Sequence, residues 1–201
     1  MKVVLIGQRW LAAEVLALCQ RRGDQVLCVV VPDVNDRLSA AASAAGIPVL
    51  SEARVIRGAH VPDGTDVLLC AHAHAFVTAG ARAAARFGAL GYHPSLLPRH
   101  RGRDAIRWAL HMKEDVTGGS AYWMTDKADA GPIAAQDWCF VRADDTPESL
   151  WRRELGPMGV RLFQRVLGDL DEGRVVADDQ DETMATWEPA WHTRQMAKEE
   201  G

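Results

Sequence analysis

No long basic run, no CxxC pair, no GxGxxG fingerprint and no membrane-length apolar stretch occurs in these 201 residues. Each absence excludes something. Without a basic run, and with a formal charge of −4, the chain offers nucleic-acid phosphates no electrostatic footprint. Asp178, Asp179, Asp181 and Glu182 would repel a polynucleotide, so no nucleic-acid partner is expected. A bilayer crossing needs about twenty consecutive apolar residues, so no membrane partner is expected either. The apolar run Val3–Ile6 stops at Gly7-Gln8-Arg9, too soon for the core of an export signal. The four cysteines (Cys19, Cys28, Cys70, Cys139) are scattered and are expected as buried thiols of a cytoplasmic protein. There is no internal repeat and no low-complexity segment.

What is present reads as one domain over 1–189 followed by a loosely held C-terminal tail, 190–201. In the first half, short apolar runs alternate with helical stretches. Strands are expected at Lys2–Ile6, Gln25–Val31, Ile47–Leu50, Asp66–Ala71 and Ala89–Tyr92. Helices are expected at Leu11–Arg22, Leu38–Ala45 and Thr78–Arg86. This rhythm implies an α/β fold with an open, Rossmann-like, mostly parallel sheet and helices on both faces. In the second half, Ala105–Met112 reads as a helix, and Gly118–Met124 and Ile133–Phe140 as strands able to pair antiparallel. Thr146-Pro147 opens a long helix expected to pause at Gly156-Pro157 and resume to Leu170. Trp108, Trp123, Trp138 and Trp151 are expected in the core or a pocket wall. His60, His111 and His192 are expected at the surface.

A parallel sheet carries its functional groups at the carboxyl ends of its strands. Three segments end there. Gly7-Gln8-Arg9 allows a tight turn into a helix whose N-terminus faces either an anion or nothing in particular. Tyr92-His93-Pro94-Ser95-Leu96-Leu97-Pro98-Arg99-His100-Arg101-Gly102 is a loop stiffened by two prolines, suited to posing an imidazole or serving as a plain structural turn. Thr125–Pro132 carries Asp126 and Asp129, which either form turns or bring a carboxylate beside His93 to orient it. A rival lies in Cys70-Ala71-His72-Ala73-His74. On a continued strand these three metal-capable side chains would share one face, as a metal-dependent hydrolase would require.

The run His93-Pro94-Ser95-Leu96-Leu97-Pro98, followed by Ala128-Asp129-Ala130-Gly131, resembles the folate-dependent formyltransferases. These include glycinamide ribonucleotide transformylase, methionyl-tRNA formyltransferase and sugar-amine N-formyltransferases. Among them the chain most resembles the hydrolase domain of 10-formyltetrahydrofolate dehydrogenase, which also has tyrosine before the histidine and Arg-His-Arg-Gly after the Leu-Pro. The resemblance runs from Ile6 to about Pro189 and makes 1–189 the catalytic domain.

It implies catalytic roles for His93 and Asp129, 10-formyltetrahydrofolate as formyl donor, and no metal. The pterin would lie against Leu69, Ala71, His72 and Phe76, with Leu90, Leu97, Met124 and Asp126 completing the wall. Gly91, Ser95, Arg99 and Arg101 would face the acceptor, the arginines meeting an anionic part of it or of the folate. The expected reaction is formyl transfer to a small amine, by a monomer or homodimer that needs only small-molecule substrates. The alternative is hydrolysis that releases formate, and a non-catalytic folate-binding protein stands behind both. One position departs from the family pattern. Gly91 stands where an asparagine amide is thought to help hold the oxyanion, a donor whose loss typically costs about 10²–10³ in rate. Beside His93, the glycine is expected to leave a gap open to water or a bulkier acceptor.

Overall fold

The computed structural model describes residues 1–51 and 54–191. Among these residues nine strands appear in chain order: β1 Lys2–Gly7, β2 Gln25–Val31, β3 Val49–Ser51, β4 Val55–Ile56, β5 Val67–Ala71, β6 Phe76–Val77, β7 Ala89–His93, β8 Val116–Trp123 and β9 Ile133–Phe140. The α-helices are α1 Arg9–Arg22, α2 Arg37–Ala44, α3 Ala79–Ala83, α4 Ala105–His111, α5 Pro147–Leu150 and α6 Gly156–Asp171. Seven strands form one sheet in the order β3-β2-β1-β5-β7-β8-β9, parallel through β7 and antiparallel beyond it. The expected open α/β sheet is therefore the one that forms.

The central strands are unbroken apolar runs because both faces are covered. Val3, Leu5, Val67 and Leu69 point to the side packed by α1, α2 and α6. Val4, Ile6, Leu68 and Cys70 point to the other side, covered by α3 and its neighbouring segments. From β1 the chain builds outward through β2 to β3, then crosses back to β5 on the opposite flank. The carboxyl ends of β1 and β5 therefore flank the sheet's topological switch point, where such sheets bind ligands.

Several boundaries differ from the sequence reading. β4 and β6 form a separate two-stranded parallel ribbon that has no periodic pattern to announce it. The third helix is a short α3. The expected pause at Gly156-Pro157 is absent. Instead α5 passes through one π turn, Trp151–Leu155, directly into α6. Pro157 has no N–H to donate, and its ring would crowd the carbonyl four residues back. The wider turn, in which Gly156 N–H reaches Trp151 O, accommodates it. Trp138 is not in the core but exposed on β9 beside Phe140. Of the tail assigned to 190–201, residues 192–201, His192 among them, lie outside the described residues.

Candidate active site

His93 is the last residue of β7, held in register opposite Ser120 of β8. It is buried, at 7% exposure. Its Nε2 lies 2.7 Å from the carbonyl oxygen of His100. A carbonyl only accepts, so Nε2 carries the proton and Nδ1 is left on the side of Asp129. Nδ1 sits 3.7 Å from Asp129 Oδ2. That is longer than a hydrogen bond.

Asp129 adopts a left-handed backbone with φ 52°, which aspartate tolerates better than most residues. Two donors fix its carboxylate. Tyr122 O–H donates to Oδ1 at 2.7 Å, and Gly102 N–H donates to Oδ2 at 2.8 Å. Burial, reinforced by the carboxylate beside it, holds the Tyr122 phenol protonated well above its ordinary range. Gln180 Nε2 donates to the backbone carbonyls of Asp129 and Gly131, pinning the loop from behind.

The loop after His93 is braced from within. Ser120, fully buried, donates its hydroxyl to the Ser95 carbonyl and accepts from Leu97 N–H. Gln136 donates to the Leu97 carbonyl and to the same hydroxyl. The segment before residue 191 straps the loop from outside. Thr186 exchanges backbone bonds with Pro98 and Arg101, and its hydroxyl accepts from His100 N–H. The His100 ring, 1% exposed, has its nitrogens 3.0 Å from Glu114 and 3.1 Å from Glu188.

These contacts reassign several expected site residues. The side chains of Leu69, Ala71 and Leu90 are fully buried in the core cluster shared with α1 and α6. Leu97 is enclosed as well, and Ser95 spends its hydroxyl on the Arg99 carbonyl. Arg101 is not free for an anion: its guanidinium is taken by Gln180 and Glu182 of the strap. Arg99 pairs with Glu114, and Asp126 with Arg82 at 2.6 Å. Phe76 is half exposed. The gap expected at Gly91 is filled, because a Cβ built there would meet Tyr122 Cε1 at 3.0 Å and Met124 Cγ at 3.3 Å. No motif pointed to Tyr122, Ser120, Gln136 or Gln180. The one available signal was the polar residues spaced by two along β8.

A cavity of about 300 Å³ opens at the switch point, lined by Gly7, Gln8, Val31, Pro32, His72 and His74 among others. Gly7 has no room for a side chain, since a Cβ would lie 1.9 Å from the Ala71 carbonyl. At the start of α1, Arg9 N–H is already bonded to both carboxylate oxygens of Asp36 at 3.0 Å. That contact leaves this N–H unavailable to an anion. The aligned metal face does not form. β5 ends at Ala71, Cys70 points into the core, and His72 turns to φ 54°. Among the described residues no three metal-capable side chains converge.

Burial first, then His74 and Arg9, push the His72 imidazole from its ordinary 6.5 down to about 4. A folded-state value below the unfolded one means stability that is intact above 6.5 and lost as pH falls toward 4. His72→Asn tolerates the positive φ. It is expected to lose less Tm than the parent chain between about pH 7 and about pH 4.5, as read by thermal unfolding. An equal or steeper fall would show that another group titrates.

The model of the formyl transferase family matches residues 1–167. The chain belongs to the formyl transferase family. Among curated relatives, it is 33% identical over 201 residues to the mitochondrial 10-formyltetrahydrofolate dehydrogenase of Mus musculus, covering 94% of this chain and 22% of that protein. The chain thus spans about a fifth of that relative's length. It is 31% identical over 207 residues to the methionyl-tRNA formyltransferase of Acidobacterium capsulatum, covering 94% of this chain and 65% of that one. Among solved formyl transferase folds, glycinamide ribonucleotide transformylase 1 from Symbiobacterium toebii superposes with a TM-score of 0.74 at 23% identity. That match covers 89% of this chain and 94% of the other. At that identity the likeness speaks for the fold alone, and the fold is the formyl transferase sheet.

Proposed function

We propose that this chain uses 10-formyltetrahydrofolate as a formyl donor and passes the formyl group to a small amine. The observation that carries the reading is the apposition of His93 Nδ1 and Asp129 Oδ2 at 3.7 Å, each fixed by partners of its own. The folate would be held where the switch-point cavity meets Ala73–Phe76 and Met124–Asp126. It supplies an activated formyl carbon and a nitrogen leaving group.

The protein's part is proton and charge handling. With Nε2–H committed to the His100 carbonyl, a protonated His93 keeps its Nδ1–H, on the Asp129 side, as a charge-assisted donor for the negative charge that develops on the formyl oxygen. Asp129 Oδ2 stabilises that imidazolium and is placed to relay the proton lost by the attacking nucleophile. Burial of His93 keeps its side of the pair out of bulk water, which strengthens the interaction.

Hydrolysis is the second reading. It is favoured by Gly91, which carries no amide to add to the oxyanion site, and by the relatedness to the formyltetrahydrofolate dehydrogenases. The test incubates pure protein with 10-formyltetrahydrofolate and follows tetrahydrofolate and formate, with and without a panel of small amines. Amine-dependent tetrahydrofolate release supports transfer, and stoichiometric formate without amine supports hydrolysis. No consumption in either arm would overturn both and leave a folate-binding protein.

A further inference from the structure

Tyr122 stands directly across the sheet from Gly91, its partner in the β7–β8 register. A Cβ built on Gly91 would lie 3.0 Å from Cε1 and 3.1 Å from Cζ of the Tyr122 ring. The backbone at Gly91 is ordinary strand, outside the left-handed region. The exclusion of a side chain there is therefore a matter of packing, and the thing packed is one aromatic ring. Met124 Cγ, 3.3 Å from the same point, closes the other side.

The same ring carries the hydroxyl that holds Asp129. Tyr122 O–H bonds Oδ1 at 2.7 Å, which leaves Oδ2, on its Gly102 N–H, turned toward His93. Tyr122 is only 6% exposed. Losing the O–H would leave Asp129 one donor instead of two.

We propose that Tyr122 is the positioning residue of this site: its ring takes the space that a side chain at position 91 would need, and its hydroxyl sets the Asp129 carboxylate against His93. Gly91 and Tyr122 then work as one unit. The small residue on β7 exists to admit the large one on β8. A site built this way leaves the charge developing on the formyl oxygen to be met by His93, steadied by Asp129, without help from an amide at 91. The catalytic consequence rests on the formyl-chemistry reading; the geometric coupling does not.

The test has two arms. In the first, Tyr122→Phe keeps the ring and removes the donor. Its kcat is expected to fall about ten- to a hundredfold, the range for losing one hydrogen bond to a charged group, with KM nearly unchanged. The His93 imidazole titration, followed by NMR, is expected to shift, because the carboxylate facing it has lost its anchor. In the second, a double-mutant cycle joins Gly91→Asn and Tyr122→Ala. Gly91→Asn alone is expected to lower Tm through overpacking against the ring, and the double variant to recover part of that loss.

A Tyr122→Phe protein with the parent's kcat and an unshifted His93 titration would overturn the positioning role. Strictly additive Tm changes in the cycle would overturn the coupling. Should the parent chain consume no formyl donor at all, the enzymatic reading fails by itself, while the NMR titration and the Tm cycle still decide the assignment of Tyr122.

Discussion

His93→Ala is expected to lower consumption of the formyl donor by about 10²–10⁴, the usual worth of a positioned general acid–base group. The variant removes the only imidazole that the structure brings to Asp129 Oδ2 among the described residues. It also strips the His100 carbonyl of its buried partner, a loss of about 1–3 kcal/mol. That is enough to lower Tm and too little to unfold the sheet, so circular dichroism separates the two effects. Asp129→Asn is the companion. Its amide oxygen can still accept one donor, but the negative charge that steadies His93 is gone, and a loss of at least about tenfold is expected. Near-normal turnover in either folded variant would remove that residue from the mechanism.

The second large effect is on stability. Phe163 is fully buried on α6 and stacks at a tilt against Tyr92, with ring centroids 6.5 Å apart. Tyr92 directly precedes His93 and donates its hydroxyl to the Leu155 carbonyl in the π turn at 2.6 Å. Truncating a buried phenylalanine typically costs about 3–5 kcal/mol, because the cavity left behind closes only partly. For a chain of this size that corresponds to a Tm fall of roughly 6–20 °C. Differential scanning calorimetry of Phe163→Ala measures it directly. A fall of only a degree or two would mean that the helix repacks, and that α6 is not what holds Tyr92 in place.

The parallel strands were legible because they are buried on both faces and read as unbroken apolar runs, Val3–Ile6 most clearly. His93 and Asp129 were legible because proline and glycine at fixed offsets mark their loops. Tyr122 was not. In a stretch reading Gly118-Gly119-Ser120-Ala121-Tyr122 it looks like any strand aromatic, and its partner Asp129 is reached only after the chain turns. Nor does a sequence show what fills the space over a glycine, so the gap expected at Gly91 was wrong in kind. The arginines misled for a related reason. Arg99 and Arg101 sit beside the motif, yet their partners Glu114, Gln180 and Glu182 come from segments without periodicity. The same holds for the strap, which ties the loops through two backbone bonds of Thr186 and through the side chains of Gln180, Glu182 and Glu188, none of them marked by a periodic pattern.

That strap bears on the order in which a growing chain becomes competent. Every strand of the main sheet is complete once residue 140 has been made. The ties to Pro98, His100, Arg101 and Asp129 come from Gln180 and Thr186. During synthesis at about 5–20 residues per second, the sheet can assemble with the His93 loop braced only from within, by Ser120 and Gln136, before the strap exists. The outer ties of the His93 and Asp129 loops thus come last, from residues that lie beyond the span matched by the family model.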